Sequence, residues 1–297
     1  MNNDESLRFG TVGAPQTTPG SGTEAAIAHT AALGLHHLEI AWTRSVRVSD
    51  ATCAAIKSAA AEHGITLSVH APYFINLNSQ TSEKMAASDA RLLAAARQGY
   101  KAGATDIVFH PGSYHGQPAE QVCDRMREKL IELTSLLREE GTHVTLRPET
   151  MGRIGVYGDL EEVLALCQGI DGVQPCVDWA HLYARTLGGG YNEYDDFCAA
   201  LEAIRAVLGD AALGSLHNHV SGIAYTDKGE REHIPLNEST FNYRALLAAF
   251  IECGVRGTVG VEAPQPFHTA DCLTIQATFR RLHEQHNGVG LKRTEET

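Results

Sequence analysis

Short apolar runs alternate with longer stretches of helical periodicity along the whole chain, a pattern that predicts repeated βα units and a parallel sheet. Eight runs read as strands: LRFGTVGA (7–14), HHLEIAW (36–42), TLSVHAP (66–72), DIVFHPG (106–112), HVTLRPE (143–149), QPCVDWA (174–180), LGSLHNHV (213–220) and GTVGVEA (257–263). Between them, Val122, Met126, Leu130, Leu133 and Leu137 recur at spacings of three and four, which gives a helix one apolar face; Gly141 should end it. Asp159 with Glu162 three residues on reads as the N-terminal cap of the next helix. Eight such units predict a (β/α)₈ TIM barrel as a single domain over 1–285, followed by a polar tail over 286–297.

Composition narrows the class. The chain has 297 residues, 43% of them hydrophobic and 20% charged; that is ordinary for a water-soluble domain, and no apolar run approaches the ~20 residues of a membrane helix. The polar, acidic start MNNDESLRFG lacks the basic and apolar regions of a secretory signal, so a cytoplasmic location is expected. The seven cysteines include no C-x-x-C pair and read as reduced core residues. A net charge of −12 does not favour nucleic-acid binding, so any contact with phosphates must be local.

The ionisable residues interrupting these strands change the picture most. His70, His110, Glu149, Asp178, His219 and Glu262 each fall at or near the C-terminal end of a strand run. In a (β/α)₈ barrel those ends converge on one mouth, where active sites are built. Buried charges are costly unless paired or metal-bound, and imidazole with carboxylate suits zinc or manganese. His181, three residues after Asp178, and His233, in the long connection after strand seven, extend the set. That is too many donors for one ion of coordination number four to six, so two or three ions are expected. His217 shares a strand face with His219 by two-residue alternation. Arg44, Arg47, Arg153, Arg185 and Arg231 are mouth-loop candidates for phosphate contacts; His115 reads as a loop residue, and His36, His37, His63, His143, His268, His283 and His286 as surface or structural.

At these positions the sequence resembles endonuclease IV, particularly its archaeal-type branch, within the xylose isomerase-like barrels. The blocks that carry the resemblance are SVHAPYFINLNS, VFHPGSYHG, RPETMG, PCVDWAHLYARTLGG, LHNHVSGIAYTDKGEREHIPL and VGVEAP. The resemblance implies a Zn²⁺-dependent apurinic/apyrimidinic endodeoxyribonuclease of base excision repair, with DNA containing abasic sites as partner; Mn²⁺ is an alternative metal. It implies His70 and His110 on a first zinc, Glu149 bridging first and second and acting in catalysis, Asp178, His219 and Glu262 on the second, and His181 and His233 on the third. Tyr73 matches a residue near the damaged nucleotide, and Arg44 and Arg231 are the arginines expected at substrate. Two departures stand out. The family's Asp two residues before the third-site histidine is Arg231 here, which leaves Glu230 or Glu232 to substitute or the third ion unheld, and the loop after strand two reads WTRSVRVS. The competing expectation is a sugar isomerase or epimerase of the same barrel class, which needs one metal on Glu149, Asp178, His219 and Glu262.

Overall fold

The structure, a computed structural model, describes residues 7–294, with side chains to residue 288. Eight parallel strands form one sheet: β1 Leu7–Val12, β2 His37–Ala41, β3 Thr66–His70, β4 Asp106–Phe109, β5 Thr145–Pro148, β6 Cys176–Asp178, β7 Leu216–Val220 and β8 Gly257–Val261. Their order is β5-β4-β3-β2-β1-β8-β7-β6. Isolated parallel bridges between Leu146 and Val173 and between Glu149 and Cys176 join the two ends of that order. The expected (β/α)₈ barrel is therefore the observed architecture.

Local chemistry explains the helices. Ala119–Glu139 buries Val122, Met126, Leu130, Leu133 and Leu137 in one stripe, and Gly141 follows its end at φ 72°, a left-handed turn glycine accepts cheaply. Leu160–Cys167 opens on the Asp159–Glu162 capping box, an arrangement contributing about 1 kcal/mol. The strands are shorter than the runs that predicted them, and two of the boundaries have a clear local cause. The sixth strand stops at Asp178 rather than Ala180, because the Asp178 side chain caps the helix Trp179–Arg185 by accepting from the His181 amide. The seventh begins at Leu216, since Leu213 closes the short helix Asp210–Leu213. The last helix, His268–Thr294, continues into the segment read as a tail, and 295–297 lie outside the described residues.

Alternation along the strands sorts the side chains. Leu38, Ile40, Leu67, Val69, Ile107, Leu146, Val259 and Val261 are buried in the apolar shell packed against the helices. The interleaved residues fill the barrel interior, and they are largely polar: His37, Glu39, Ser68, His70, Arg147, Glu149, His217 and His219 are all buried. At the floor of the barrel Arg147 Nε donates to Asp106 Oδ1 at 2.6 Å, while its Nη atoms donate to the Pro175 and Ser215 carbonyls. A buried guanidinium without such partners would be strongly unfavourable.

Candidate metal centre

The C-terminal ends of the strands bring all eight candidate donors together around Glu149. Its carboxylate is fully buried; Oε2 lies 3.2 Å from His110 Nε2 and 3.4 Å from His70 Nε2, and Oε1 lies 3.1 Å from His219 Nδ1. His219 Nδ1 is in turn 3.6 Å from Glu262 Oε1, whose other oxygen is 3.5 Å from His233 Nε2. His181 Nδ1 lies 3.7 Å from both Glu149 Oε1 and Asp178 Oδ2. Gly260 faces His219 from β8, and a Cβ there would come within 3.0 Å of the imidazole, so this strand position leaves room for the ring.

Backbone and hydroxyl partners orient the imidazoles. The Ala71 carbonyl, 3.0 Å from His70 Nδ1, and the Thr150 carbonyl, 2.9 Å from His181 Nδ1, can only accept, so each Nδ1 carries a proton and Nε2 is turned to the mouth. Ser221 Oγ holds His233 Nδ1 at 2.5 Å. Thr150 also ties its hydroxyl to the Asp178 amide and carbonyl. Burial opposes charge on His70 and His181, yet surrounding carboxylates, Glu149 for the first and Asp178 with Glu230 for the second, raise both to about 9. Glu149 is held well below the usual carboxylate range: burial resists its ionisation, but the adjoining imidazoles of His110, His219 and His70 outweigh that.

Among the described residues, sets of donor atoms all within 4.8 Å of one another include His70, His110 and Glu149; Glu149, Asp178, His219 and Glu262; and Asp178, His181, His233 and Glu262. Among these donors, the buried Glu149 Oε2, Asp178 Oδ2 and His181 Nε2 have no hydrogen-bond partner. Orphaned buried donors and acceptors are costly. Clustered on imidazoles and carboxylates, they fit divalent ions with nitrogen and oxygen ligands.

The hairpin Gly222–Thr226/Gly229–Ile234 supplies a further carboxylate. Its pairing shifts between Ala224 and Tyr225, where Ala224 opposes Glu232 and Tyr225 opposes Glu230, so Arg231 is the extra residue of a β-bulge. The bulge resets the alternation, and Glu230 joins His233 on the cavity side with Oε2 3.6 Å from His181 Nε2. Arg231 is exposed and pairs with Glu232 at 2.8 Å. Of the two carboxylates open as substitutes, Glu230 is the one at the cluster.

The substrate candidates separate in the same way. Tyr73 lines a mouth cavity of about 700 Å³, its ring 5.3 Å from His70 and 5.2 Å from His110. Arg153 also lines it, whereas Arg44 and Arg47 are exposed on the loop after β2, whose cavity residue is Thr43. Arg185 uses its guanidinium on the Met151, Arg153 and Val156 carbonyls and the Tyr114 hydroxyl, so its role is to hold that loop. Sequence reasoning missed Glu39, buried under the cluster with Oε1 3.1 Å from His219 Nε2. The signal was available in HLEIA, where His37 and Glu39 interrupt Leu38 and Ile40 with period two. His37, read as surface or structural, is fully buried, with its pKa lowered to about 3 by burial and by His217.

Comparison with known proteins gives this arrangement a context. Residues 27–277 match the model described as xylose isomerase-like TIM barrel. An uncharacterized protein of Methanocaldococcus jannaschii is 36% identical over 266 residues, 89% of this chain and 94% of that one. A protein of Heliobacterium modesticaldum named probable endonuclease 4 is 32% identical over 160 residues, 52% of this chain and 56% of its own length, so the match to it spans about half of each. Among solved structures, endonuclease IV from Thermus thermophilus superposes with TM-score 0.71 at 22% identity, over 94% of this chain and 99% of that one. A D-tagatose 3-epimerase-like protein superposes with TM-score 0.74 at 18% identity over the same shares. At such identities these two likenesses speak to the fold alone.

Proposed function

Since the chain belongs to the xylose isomerase-like TIM barrel family, we propose that it is a metal-dependent phosphodiesterase of endonuclease IV type, holding two or three Zn²⁺ ions and incising DNA at abasic sites. The observation that carries this reading is the surplus of donors around Glu149. The set Glu149, Asp178, His219 and Glu262 would suffice for one ion, yet His70, His110, His181 and His233 also present nitrogen to the same space. The partial match to proteins named endonuclease 4 supports the same choice.

Bound divalent ions would supply Lewis acidity toward a phosphate and lower the pKa of a water toward neutrality. Around them the chain's own groups have separable tasks. Glu149, shared by two donor sets, would hold those sets in fixed relation; Glu262 and Asp178, each shared by two, would do the same on the other side. Arg153 at the rim offers a guanidinium to a neighbouring phosphate, a local positive contact on a chain of net charge −12. Tyr73, half exposed beside His70 and His110, offers an aromatic face to a nucleotide displaced from the helix, and displacing an abasic sugar breaks no base pair.

A sugar epimerase or isomerase is the second reading. The self-contained Glu149–Asp178–His219–Glu262 set, enough for a single ion, favours it. Parallel assays of metal-replete protein on an abasic duplex oligonucleotide and on a ketose panel separate the two. The proposal expects incision at the abasic position, with affinity falling as salt rises because phosphate contacts release counterions. Absence of incision together with ketose epimerisation would replace it with the second reading.

A further inference from the structure

Beneath the metal cluster the barrel holds a second layer of ionisable groups that the reading above does not use. Glu39, on β2, is fully buried. Its Oε2 accepts from Ser68 Oγ at 2.5 Å and pairs with His217 Nε2 at 2.8 Å. His217 is tied at its other nitrogen, Nδ1, to Thr258 Oγ1 at 2.7 Å. Ser68 donates its hydroxyl hydrogen to this oxygen, and His217 Nε2 meets the same carboxylate oxygen as N–H.

The remaining oxygen, Oε1, faces upward. It lies 3.1 Å from His219 Nε2, without the alignment of a full hydrogen bond, and neither atom makes another hydrogen bond, with the Cys176 thiol also beside the ring. On the opposite edge of the same ring, His219 Nδ1 faces Glu149 Oε1 at 3.1 Å and Glu262 Oε1 at 3.6 Å. One imidazole therefore spans the two layers, with an acceptor fixed from below at Nε2 and the donor set of the mouth at Nδ1.

We propose that Glu39 is a positioning residue for the Glu149–Asp178–His219–Glu262 set: its carboxylate fixes His219 as the Nε2–H tautomer and thereby aims the Nδ1 lone pair at the ion. A histidine that ligates a metal commonly gives its second ring N–H to a carboxylate, which sets ring orientation and raises ligand basicity. Ser68, His217 and Thr258 hold the carboxylate in place for that task. His37, Glu39 and His217 could instead be taken as a separate ion-binding trio. Against this, Glu39 Oε2 already takes two hydrogen bonds, and Ser68, His217 and Glu39 are all sealed beneath the mouth. The inference rests on the metal-binding reading of the mouth.

The test uses the full chain. Zinc affinities of wild type and Glu39→Gln are measured by competition with a chelator, alongside the thermal midpoint of each metal-free protein. Histidine ¹⁵N resonances of the zinc-loaded wild type report which nitrogen of His219 carries the proton. The expected result is a 10- to 100-fold loss of affinity for one ion, the range typical of outer partners of metal ligands, with the other ions unchanged and His219 protonated at Nε2. Thr258→Val, which keeps Glu39 and removes only the far hydrogen bond of the chain, should give a smaller loss at the same ion. Unchanged affinities in a folded Glu39→Gln protein, or a zinc-loaded His219 protonated at Nδ1, would overturn the proposal, and the NMR result decides it even where the variant does not fold. A wild type that binds no ion would overturn the metal reading itself, an outcome distinct from either.

Discussion

Glu230 Oε2 lies 3.6 Å from His181 Nε2, at the point where the hairpin after β7 docks on the loop after β5. The Glu230 amide donates to the Gly152 carbonyl at 3.0 Å, and a Cβ on Gly152 would sit 2.6 Å from that of Glu230. Glycine at 152 thus lets the two segments close on each other. The bulge at Arg231 then decides which side chain faces the imidazole.

Substitution at the two adjacent positions should therefore diverge. Glu230→Gln is expected to weaken zinc binding at the ion nearest His181 by about 10-fold or more, as losing a charged oxygen donor does. Arg231→Ala should leave every metal affinity unchanged, since Arg231 is exposed and engaged with Glu232. Chelator competition on both variants checks this, and an effect confined to Arg231→Ala would reverse the assignment.

Glu149→Gln is expected to lower phosphodiester hydrolysis by more than about 100-fold, exceeding the cost of losing an outer partner of a ligand. The far-ultraviolet circular dichroism should be unaltered, because the barrel shell is built from apolar residues elsewhere. Near-wild-type turnover in the folded variant would reject a central role for this carboxylate.

The raised pKa values of His70 and His181 give a pH dependence with a defined sign. Both titrate at about 9 in the metal-free fold against 6.5 for an ordinary histidine. Their ion pairs therefore stabilise the metal-free fold fully below pH 6.5, and that contribution is lost as pH rises through about 9. Metal binding needs the unprotonated nitrogens, so loading at pH 7 should release protons and apparent affinity should climb with pH until about 9. Calorimetric titrations in buffers of differing ionisation enthalpy measure the release, and zero release at pH 7 would contradict the assignment.

Much of this site was legible in the sequence because its donors interrupt otherwise apolar strands and fall one βα unit apart. His70, His110 and Glu262 follow directly from IVFHPG-like patterns whose flanking residues point to the shell. Three features escaped that logic. A β-bulge adds a residue to a two-residue period, so the family's Asp position falls on Arg231 and the choice between Glu230 and Glu232 stays open until geometry selects Glu230. Asp178 reads as near the end of its strand run, but not as the cap at which strand becomes helix, a switch that brings His181 onto the cavity side. Glu39 is passed over although HLEIA marks it as an interior position; its place under the cluster follows only when β2, β3 and β7 are closed around one axis.

The central claim is that the mouth holds a cluster of ions, which separates a phosphodiesterase site from a single-metal sugar site. Native mass spectrometry of metal-replete protein, with elemental analysis of the same sample, counts those ions directly. The donor sets around Glu149 predict two or three divalent ions per chain. A saturated protein carrying no more than one would contradict the account.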